Sequence, residues 1–287
     1  MPNWCDTEYY FISKDKDVLE DFRSRLSKAT SNSSFMKEKY GKSDFGDGWL
    51  GNVLHEFCLS REKVVDDCVN YEYNGTVRFR GSIVSLDDEI ATTDDGRYIL
   101  FLVTETAWGP MTKMWDAVIE DNYPGQITYV FHASEPGMEY YVTNDAEREW
   151  FNEYEIEGAF DILDTLYDPN DPESCRSDDV IGPCDSVEDM IKSLQDLIIG
   201  LKRIERMYPA LFKVHADDVF ADVDFSSVED WNSVSMKFNK IFEGLDLKLL
   251  EDIVFEKIPD LPHEPLYCIN YIQICHYDII DPSSDIE

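Results

Sequence analysis

The chain has 287 residues, of which 60 are Asp or Glu and 25 are Lys or Arg, giving a formal charge of −35 at pH 7. A surface this negative repels phosphate backbones and anionic membranes, which excludes a plain role in binding either one. Hydrophobic residues make up 43% and aromatic residues 13%, so the chain can bury a core and is not a disordered polyanion. The length predicts two domains.

The ends and the cysteines bear on the compartment. The N-terminus lacks the basic and apolar regions of a signal peptide, and no stretch approaches the roughly 18 apolar residues of a membrane span. Seven cysteines are scattered along the chain, an odd number without paired spacing, which is typical of reduced thiols. We expect a cytoplasmic protein.

Residues 1–144 alternate strand-like and helix-like patterns. Strands are predicted at Tyr9–Ser13, around the Asn74-Gly75 turn within Tyr71–Phe79, and at Gly81–Leu86, Tyr98–Glu105, Gln126–Ala133 and Met138–Thr143. Helices are predicted at Asp17–Lys28 and Met111–Asp121, whereas Trp49–Phe57 is ambiguous. Strands with two interposed helices predict an α+β domain with a mostly antiparallel sheet.

Residues 145–287 predict a mainly helical second domain. The clearest helix is Ser186–Tyr208, which has Ser186 as its N-cap and an apolar stripe that ends before Pro209. Further helices are predicted at Val228–Phe242 and Leu245–Ile258, and a terminal strand at Leu266–Ile274. No strand is predicted between residues 146 and 167.

Three short motifs occur in a fixed order in the first half. The chain opens Met1-Pro2-Asn3-Trp4-Cys5, continues to Thr106-Ala107-Trp108-Gly109-Pro110 after an apolar strand, and then reaches Glu135-Pro136-Gly137. This order resembles the YubB-type ferredoxin-like proteins of phages and plasmids, although Asp6 and Gly109 replace the usual Asn and Ser. The resemblance covers about residues 1–143. It implies a ferredoxin-like fold for domain 1–144 and a mobile-element origin, but no reaction.

The residue types in these motifs also predict structural roles, independently of the resemblance. Trp4 and Cys5, just before a strand, are expected to plug one end of the core. At the second motif we expect Trp108 to pack, Gly109 to permit the bend and Pro110 to begin the next helix. The alternative is that Trp108 forms an exposed aromatic platform for a ligand.

The sequence offers little specific chemistry. His215 precedes two aspartates, and Cys275-His276 follows Cys268 at a spacing that does not match paired zinc ligands. No Gly-rich phosphate loop or hydrolase motif occurs. We therefore expect no catalytic residue, no metal and no cofactor, and we keep an enzyme of unknown type as an alternative.

The acidic residues are unevenly distributed along the chain. Residues 1–144 have a net charge of −11 and residues 145–287 a net charge of −24, with 16 carboxylates and two cations within Asp145–Asp189. Solubility, a halophilic origin and a binding surface for a basic partner compete as explanations. The charge far exceeds the roughly 2–8 units that solubility requires, which favours binding.

These observations lead to a hypothesis of a phage or mobile-element anti-defence protein. It would inhibit a host complex that handles nucleic acid, of the restriction, CRISPR or Gabija type, through an acidic surface. The predicted partner-binding residues are Asp161, Asp164, Asp168, Asp171, Asp178, Asp179, Glu188 and Asp189. A homo-oligomer, for example a cage around the target, would associate through the terminal strand at Cys268, Tyr271 and Cys275. An accessory or structural phage protein that only binds other proteins is the other alternative.

Overall fold

The computed structural model describes residues 4–31, 48–58, 62–65, 68–72, 76–77, 80–160, 166, 181–228, 230–257 and 270–280. The protein is of the α+β class, and its chain forms two compact units. The first comprises Met1–Phe151 with Tyr277–Glu287, and the second comprises Asn152–His276. The first unit thus extends past the predicted boundary after Asn144 and also includes the end of the chain.

The first unit contains three helices and ten strands among its described residues. The helices are α1 (Lys16–Thr30), α2 (Leu50–Cys58) and α3 (Thr112–Asn122). The strands are β1 (Trp4–Ser13), β2 (Glu62–Val65), β3 (Cys68–Glu72), β4 (Thr76–Val77), β5 (Gly81–Leu86), β6 (Ala91–Thr92), β7 (Tyr98–Ala107), β8 (Thr128–Glu135), β9 (Tyr140–Thr143) and β13 (Asp278–Ile279).

Seven of these strands form the large sheet. Its order is β13-β9-β8-β1-β7-β5, and β6 also pairs with β7. The pairs β1–β7, β1–β8, β5–β7 and β8–β9 are antiparallel, whereas β13 runs parallel to β9. Strands β2, β3 and β4 form a separate antiparallel sheet, so the strands on both sides of the predicted Asn74-Gly75 turn are confirmed. The turn residues themselves lie outside the described part.

The helices cover one face of the large sheet because its strands alternate apolar and polar residues. Tyr9 and Leu102 point to this inner face, where they pack in one core with Phe22 of α1, Val53 of α2 and Trp115 of α3. Asp15 caps α1 by accepting a hydrogen bond from the backbone N–H of Asp17. On β1 and β7, the residues that alternate with the inward-pointing ones point to the opposite, outer face of the sheet.

The second unit combines a small sheet with helices. Its strands are β10 (Tyr154–Phe160), β11 (Gly182–Cys184) and β12 (Asn270–His276), in the order β11-β10-β12. Its helices are α4 (Val187–Met207), α5 (Ala216–Val219), α6 (Trp231–Glu243) and α7 (Leu247–Lys257). The helix predicted at Ser186–Tyr208 is confirmed together with its Ser186 cap, because the Ser186 side chain accepts from the Asp189 N–H. The strand β10 is a feature that the sequence analysis did not predict.

None of the helices in the described ranges is both long enough and apolar enough to cross a bilayer.

Candidate functional site

The three sequence motifs of the first half meet at one end of the large sheet. Trp4 at the start of β1 is the register partner of Ala107 at the end of β7. Asp6 is paired on its other side with Ser134, the residue before Glu135 at the end of β8. The start of the central strand therefore lies between the ends of its two neighbours, and this pairing brings together segments about 100 residues apart.

Trp108 does not pack into the core, so the expectation that it does is wrong. Its side chain is 58% exposed, and its backbone has a φ of 69°, in the left-handed region that favours glycine. The next helix begins at Thr112, so Pro110 precedes it and does not occupy its first turn. The geometry matches the alternative of an exposed aromatic side chain at the end of the sheet.

The other motif residues divide between the two faces of the sheet. Cys5 is fully buried, as expected, whereas Trp4 is 44% exposed and does not plug the core. Burial raises the pKa of the Cys5 thiol to about 12, so this thiol is protonated at neutral pH and is a poor nucleophile. Cys5 therefore acts in packing.

A polar layer lies beneath this end of the sheet on the inner face. The Tyr9 hydroxyl, the Thr104 hydroxyl, the Trp115 indole N–H and one Glu135 oxygen are all buried. None of these four atoms has a hydrogen bond of standard geometry within the described part of the chain, although the Trp115 and Thr104 side chains lie close enough to the Tyr9 hydroxyl to lower its pKa slightly. Burial raises the pKa of Tyr9 above its usual range, so its hydroxyl remains protonated. Native cores contain few such groups, which marks this layer as unusual.

The outer face at the same end carries carboxylates. Asp6 and Glu105 are register partners on β1 and β7, and both side chains are exposed. Neither forms an ion pair with another residue in the described part of the chain. Like charges directly opposite on neighbouring strands repel each other, so this pair does not stabilise the fold.

One cation already lies beside the exposed tryptophan. The guanidinium carbon of Arg80 is 5.2 Å from the centroid of the Trp108 ring, within the range of a cation–π contact. Arg80 is placed there because its carbonyl accepts a hydrogen bond from the Ala107 N–H. We call the exposed set Trp4, Asp6, Glu105 and Trp108 the tryptophan surface.

Most of the predicted partner-binding residues lie outside the described part of the chain: Asp161, Asp164, Asp168, Asp171, Asp178 and Asp179. The other two, Glu188 and Asp189, are exposed in the first turn of α4. The Asp189 carboxylate also accepts a hydrogen bond from the Ser186 hydroxyl at 2.7 Å. Negative charge in the first turn stabilises a helix, so these two residues have a local structural role.

The predicted self-association strand is only partly accessible. Tyr271 is 43% exposed, Cys275 is buried, and Cys268 lies outside the described residues. On the edge of β12 away from β10, the Asn239 amide bonds both the N–H and the C=O of Ile272, at 2.9 and 3.1 Å. Side chains of α6 thus occupy hydrogen-bonding groups that a second strand would need.

The histidines noted in the sequence form surface contacts in the second unit. The His215 ring lies 2.5 Å from a Glu205 carboxylate oxygen, and the His276 ring lies 3.3 Å from Glu153. The neighbour of His215, Asp217, forms an ion pair with Lys202 at 2.6 Å. Within the described ranges, no group of three His, Cys, Asp or Glu residues could hold a metal ion.

The two structural units share the negative charge more evenly than the two sequence halves do. Asn152–His276 contains 28 acidic and 10 basic residues, a net charge of −18. The first unit contains 32 acidic and 15 basic residues, a net charge of −17. The first unit is therefore also a strongly acidic body, and its outer sheet face is part of that surface.

Sequence reasoning did not select Asp6 and Glu105. It treated Asp6 only as a departure from a family motif, although the alternation around Trp4-Cys5-Asp6 places Asp6 on the opposite face from Cys5. The register between β1 and β7 was needed to bring Glu105 opposite Asp6. No protein-family model, curated protein or solved structure matches this chain.

Proposed function

We propose that this protein works by binding a basic, nucleic-acid-handling host protein and inhibiting it, as an anti-defence protein of a phage or mobile element. The observation that carries the proposal is the excess of carboxylates. Even if all 25 basic residues each paired with one acid, 35 of the 60 carboxylates would have no cation from their own chain. A partner with a basic groove would supply those cations.

Internal ion pairs support this reasoning. Lys202 pairs with Asp217 at 2.6 Å, and Lys237 pairs with Asp222 at 3.0 Å. Both aspartates are highly exposed, and the paired lysine lowers the pKa of each carboxyl. Such exposed pairs are screened by solvent and neutralise only a few of the carboxylates, so the surface potential stays strongly negative. This potential would speed encounter with a basic partner.

Exposed aromatic side chains would give the complex the long residence time that charge alone does not provide. Trp4, Trp108 and Tyr271 are each more than 40% exposed. Tryptophan and tyrosine are enriched among the residues that dominate protein interfaces. The proposed mode is therefore long-range attraction followed by aromatic contacts.

The ferredoxin-like fold and the YubB-type relationship are parts of the same proposal. Four strands of the large sheet support the ferredoxin-like fold, because β8-β1-β7-β5 gives the order 4-1-3-2 with antiparallel neighbours. α1 and α2 precede β5, and α3 joins β7 to β8, as in two interleaved β-α-β units. Cytoplasmic location in the host and self-association complete the proposal.

A phage-plating experiment tests the function. Expressed in strains that carry single restriction, CRISPR or Gabija systems, the protein should raise the plating efficiency of a sensitive phage with at least one system. The fourfold variant Asp168→Lys, Asp171→Lys, Asp178→Lys and Asp179→Lys should lose this effect. The matched control reverses four exposed carboxylates of the first unit, Asp88, Glu89, Asp94 and Asp121.

The outcomes show whether inhibition depends on where the carboxylates lie or only on the total charge of the protein. Retained inhibition by the control, with loss in the fourfold variant, supports a local acidic surface in the second unit. Equal losses would show that total charge matters and would contradict the predicted site. Unchanged plating with every defence system would contradict the inhibitory function.

A further inference from the structure

We propose that the tryptophan surface is a docking site for an arginine-rich segment of the partner. The inference rests on the proposed function and deepens it, because it names the recognised group and places a contact on the first unit. The recognised group is a guanidinium, and the aromatic rings, the opposed carboxylates and the backbone of Trp108 each favour it.

The aromatic part of the surface already binds a guanidinium within the chain. Arg80 lies 5.2 Å from the Trp108 ring centroid, yet 58% of the Trp108 side chain is still exposed. More than half of the Trp108 surface is therefore available for a further contact with a planar cation. Trp4 is the register partner of the residue next to Trp108, so a second exposed indole lies on the adjacent strand.

The carboxylates supply the complementary charge. Directly opposed residues of an antiparallel pair have Cβ atoms about 4.5–5.5 Å apart, so Asp6 and Glu105 lie close enough to contact the same guanidinium. A cation between them would replace their mutual repulsion by two favourable contacts. The planar guanidinium fork suits two carboxylates and an aromatic face together, whereas the ammonium of lysine is a compact point charge.

The backbone holds Trp108 in this exposed position despite a conformational cost. Its φ of 69° is one of three positive values among the described non-glycine residues, and a second, 52° at Glu139, follows the Glu135-Pro136-Gly137 motif. Backbone strain of this kind clusters at functional sites. A residue that served only to turn the chain would be better as glycine.

The test uses the full chain and two labelled peptides, octa-arginine and octa-lysine, with binding measured by fluorescence anisotropy in 150 mM NaCl. The wild-type protein should bind octa-arginine about fivefold more tightly than octa-lysine. The double variant Asp6→Asn/Glu105→Gln should weaken octa-arginine binding about tenfold. The matched control, Asp88→Asn/Glu89→Gln, removes one Asp and one Glu charge elsewhere on the first unit and should change binding less than about twofold.

The tryptophan is tested through selectivity. Trp108→Gly should bring the ratio of octa-arginine to octa-lysine affinity close to one, because it removes the ring and suits the backbone. Trp108→Phe should keep part of the preference. If the double variant does not fold by circular dichroism, the single variant Asp6→Asn, with Asp88→Asn as its control, gives the same comparison.

Three results would overturn the inference. They are equal weakening by the site and control pairs, an unchanged selectivity ratio in Trp108→Gly, and no binding of octa-arginine by the wild-type protein. The plating experiment is independent of this assay. If plating succeeds while any of these results is obtained, the function stands and its contact surface lies elsewhere.

Discussion

Asp6 and Glu105 face each other across β1 and β7 with both carboxylates exposed. Directly opposed like charges lower the stability of a sheet. We therefore predict that Asp6→Asn raises the free energy of unfolding by about 0.5 kcal/mol. Urea denaturation at low ionic strength would measure this, with Asp88→Asn as the control. A destabilising Asp6→Asn would show that the carboxylate supports the fold.

The positive φ of Trp108 gives a second prediction. Trp108→Gly and Trp108→Ala both remove the indole and its contact with Arg80, but only glycine adopts this backbone without strain. The glycine variant should be more stable than the alanine variant by about 1 kcal/mol. Thermal unfolding of the two variants provides the comparison, and equal melting temperatures would argue against strain at this position.

Asp145 holds the backbone of the segment that ends at Phe151, the last residue of the first unit before the chain enters the second unit. This side chain is 4% exposed and accepts hydrogen bonds from the backbone N–H groups of Glu149, Trp150 and Phe151 at 3.2, 2.7 and 2.9 Å. Asp145→Ala leaves three donors without their acceptor and should lower stability by about 3 kcal/mol.

Asp145→Asn is the conservative comparison, because it keeps one acceptor oxygen. Its free energy of unfolding should fall between those of the wild type and the alanine variant. Chemical denaturation measures all three proteins. An alanine variant as stable as the wild type would mean that these donors find water without loss.

His132 should make stability depend on pH. Its ring stacks on Phe151 and Tyr277, and burial, with nearby Arg148, lowers its pKa to about 3. An unfolded histidine titrates near 6.5, so between these values the unfolded state binds the proton and the folded state does not. The contribution of this residue to stability is therefore lost as the pH falls from 6.5 towards 3, by about 2 kcal/mol at pH 5.

His132→Phe isolates that effect, because it keeps an aromatic ring and removes the titration. The difference in unfolding free energy between variant and wild type should shift in favour of the variant as the pH falls from 7 to 5. Other groups titrate equally in both proteins, so the difference reports this ring. A difference that does not change with pH would contradict the lowered pKa.

Asn239 protects the edge of β12. Its amide bonds both backbone groups of Ile272, so Asn239→Ala should cost about 2 kcal/mol and expose those groups. The exposed edge should increase self-association, which light scattering after size exclusion would detect at several concentrations. Asn232→Ala, at an exposed position of the same helix, is the control. An unchanged mass in both variants would show that β12 is not an association edge.

The sequence predicted elements wherever local periodicity is strong. The second half of β1, the strand β7 and the capped apolar stripe of α4 were predicted from the residues alone, whereas the first half of β1, Trp4–Glu8, was not. β10 was missed because Glu155, Glu157 and Gly158 are poor strand formers. Gly158 is required by packing, since a Cβ there would lie 2.6 Å from the carbonyl oxygen of Tyr271 on β12. That requirement arises only when β12 is in place.

The candidate site, too, could be predicted only in part from the sequence. The motifs of the first half were visible in the sequence, but their meeting at one end of the large sheet depends on the register of β1 with β7 and β8. The exposure of Trp108 occurs together with a left-handed backbone conformation, which an aromatic residue gives no reason to expect. Pairings between distant segments and unusual φ values are both decided by tertiary structure.

The charge of the chain shows most clearly what the sequence determines and what the tertiary structure determines. Composition alone determines the total of −35 and with it the repulsion of nucleic acid and anionic membranes. A cut along the sequence placed most of that charge in the second half. The tertiary structure instead returns Tyr277–Glu287 to the first unit through the pairing of β13 with β9, and the units carry −17 and −18. Total charge is a sum over residues, whereas its distribution in space depends on which segments fold together.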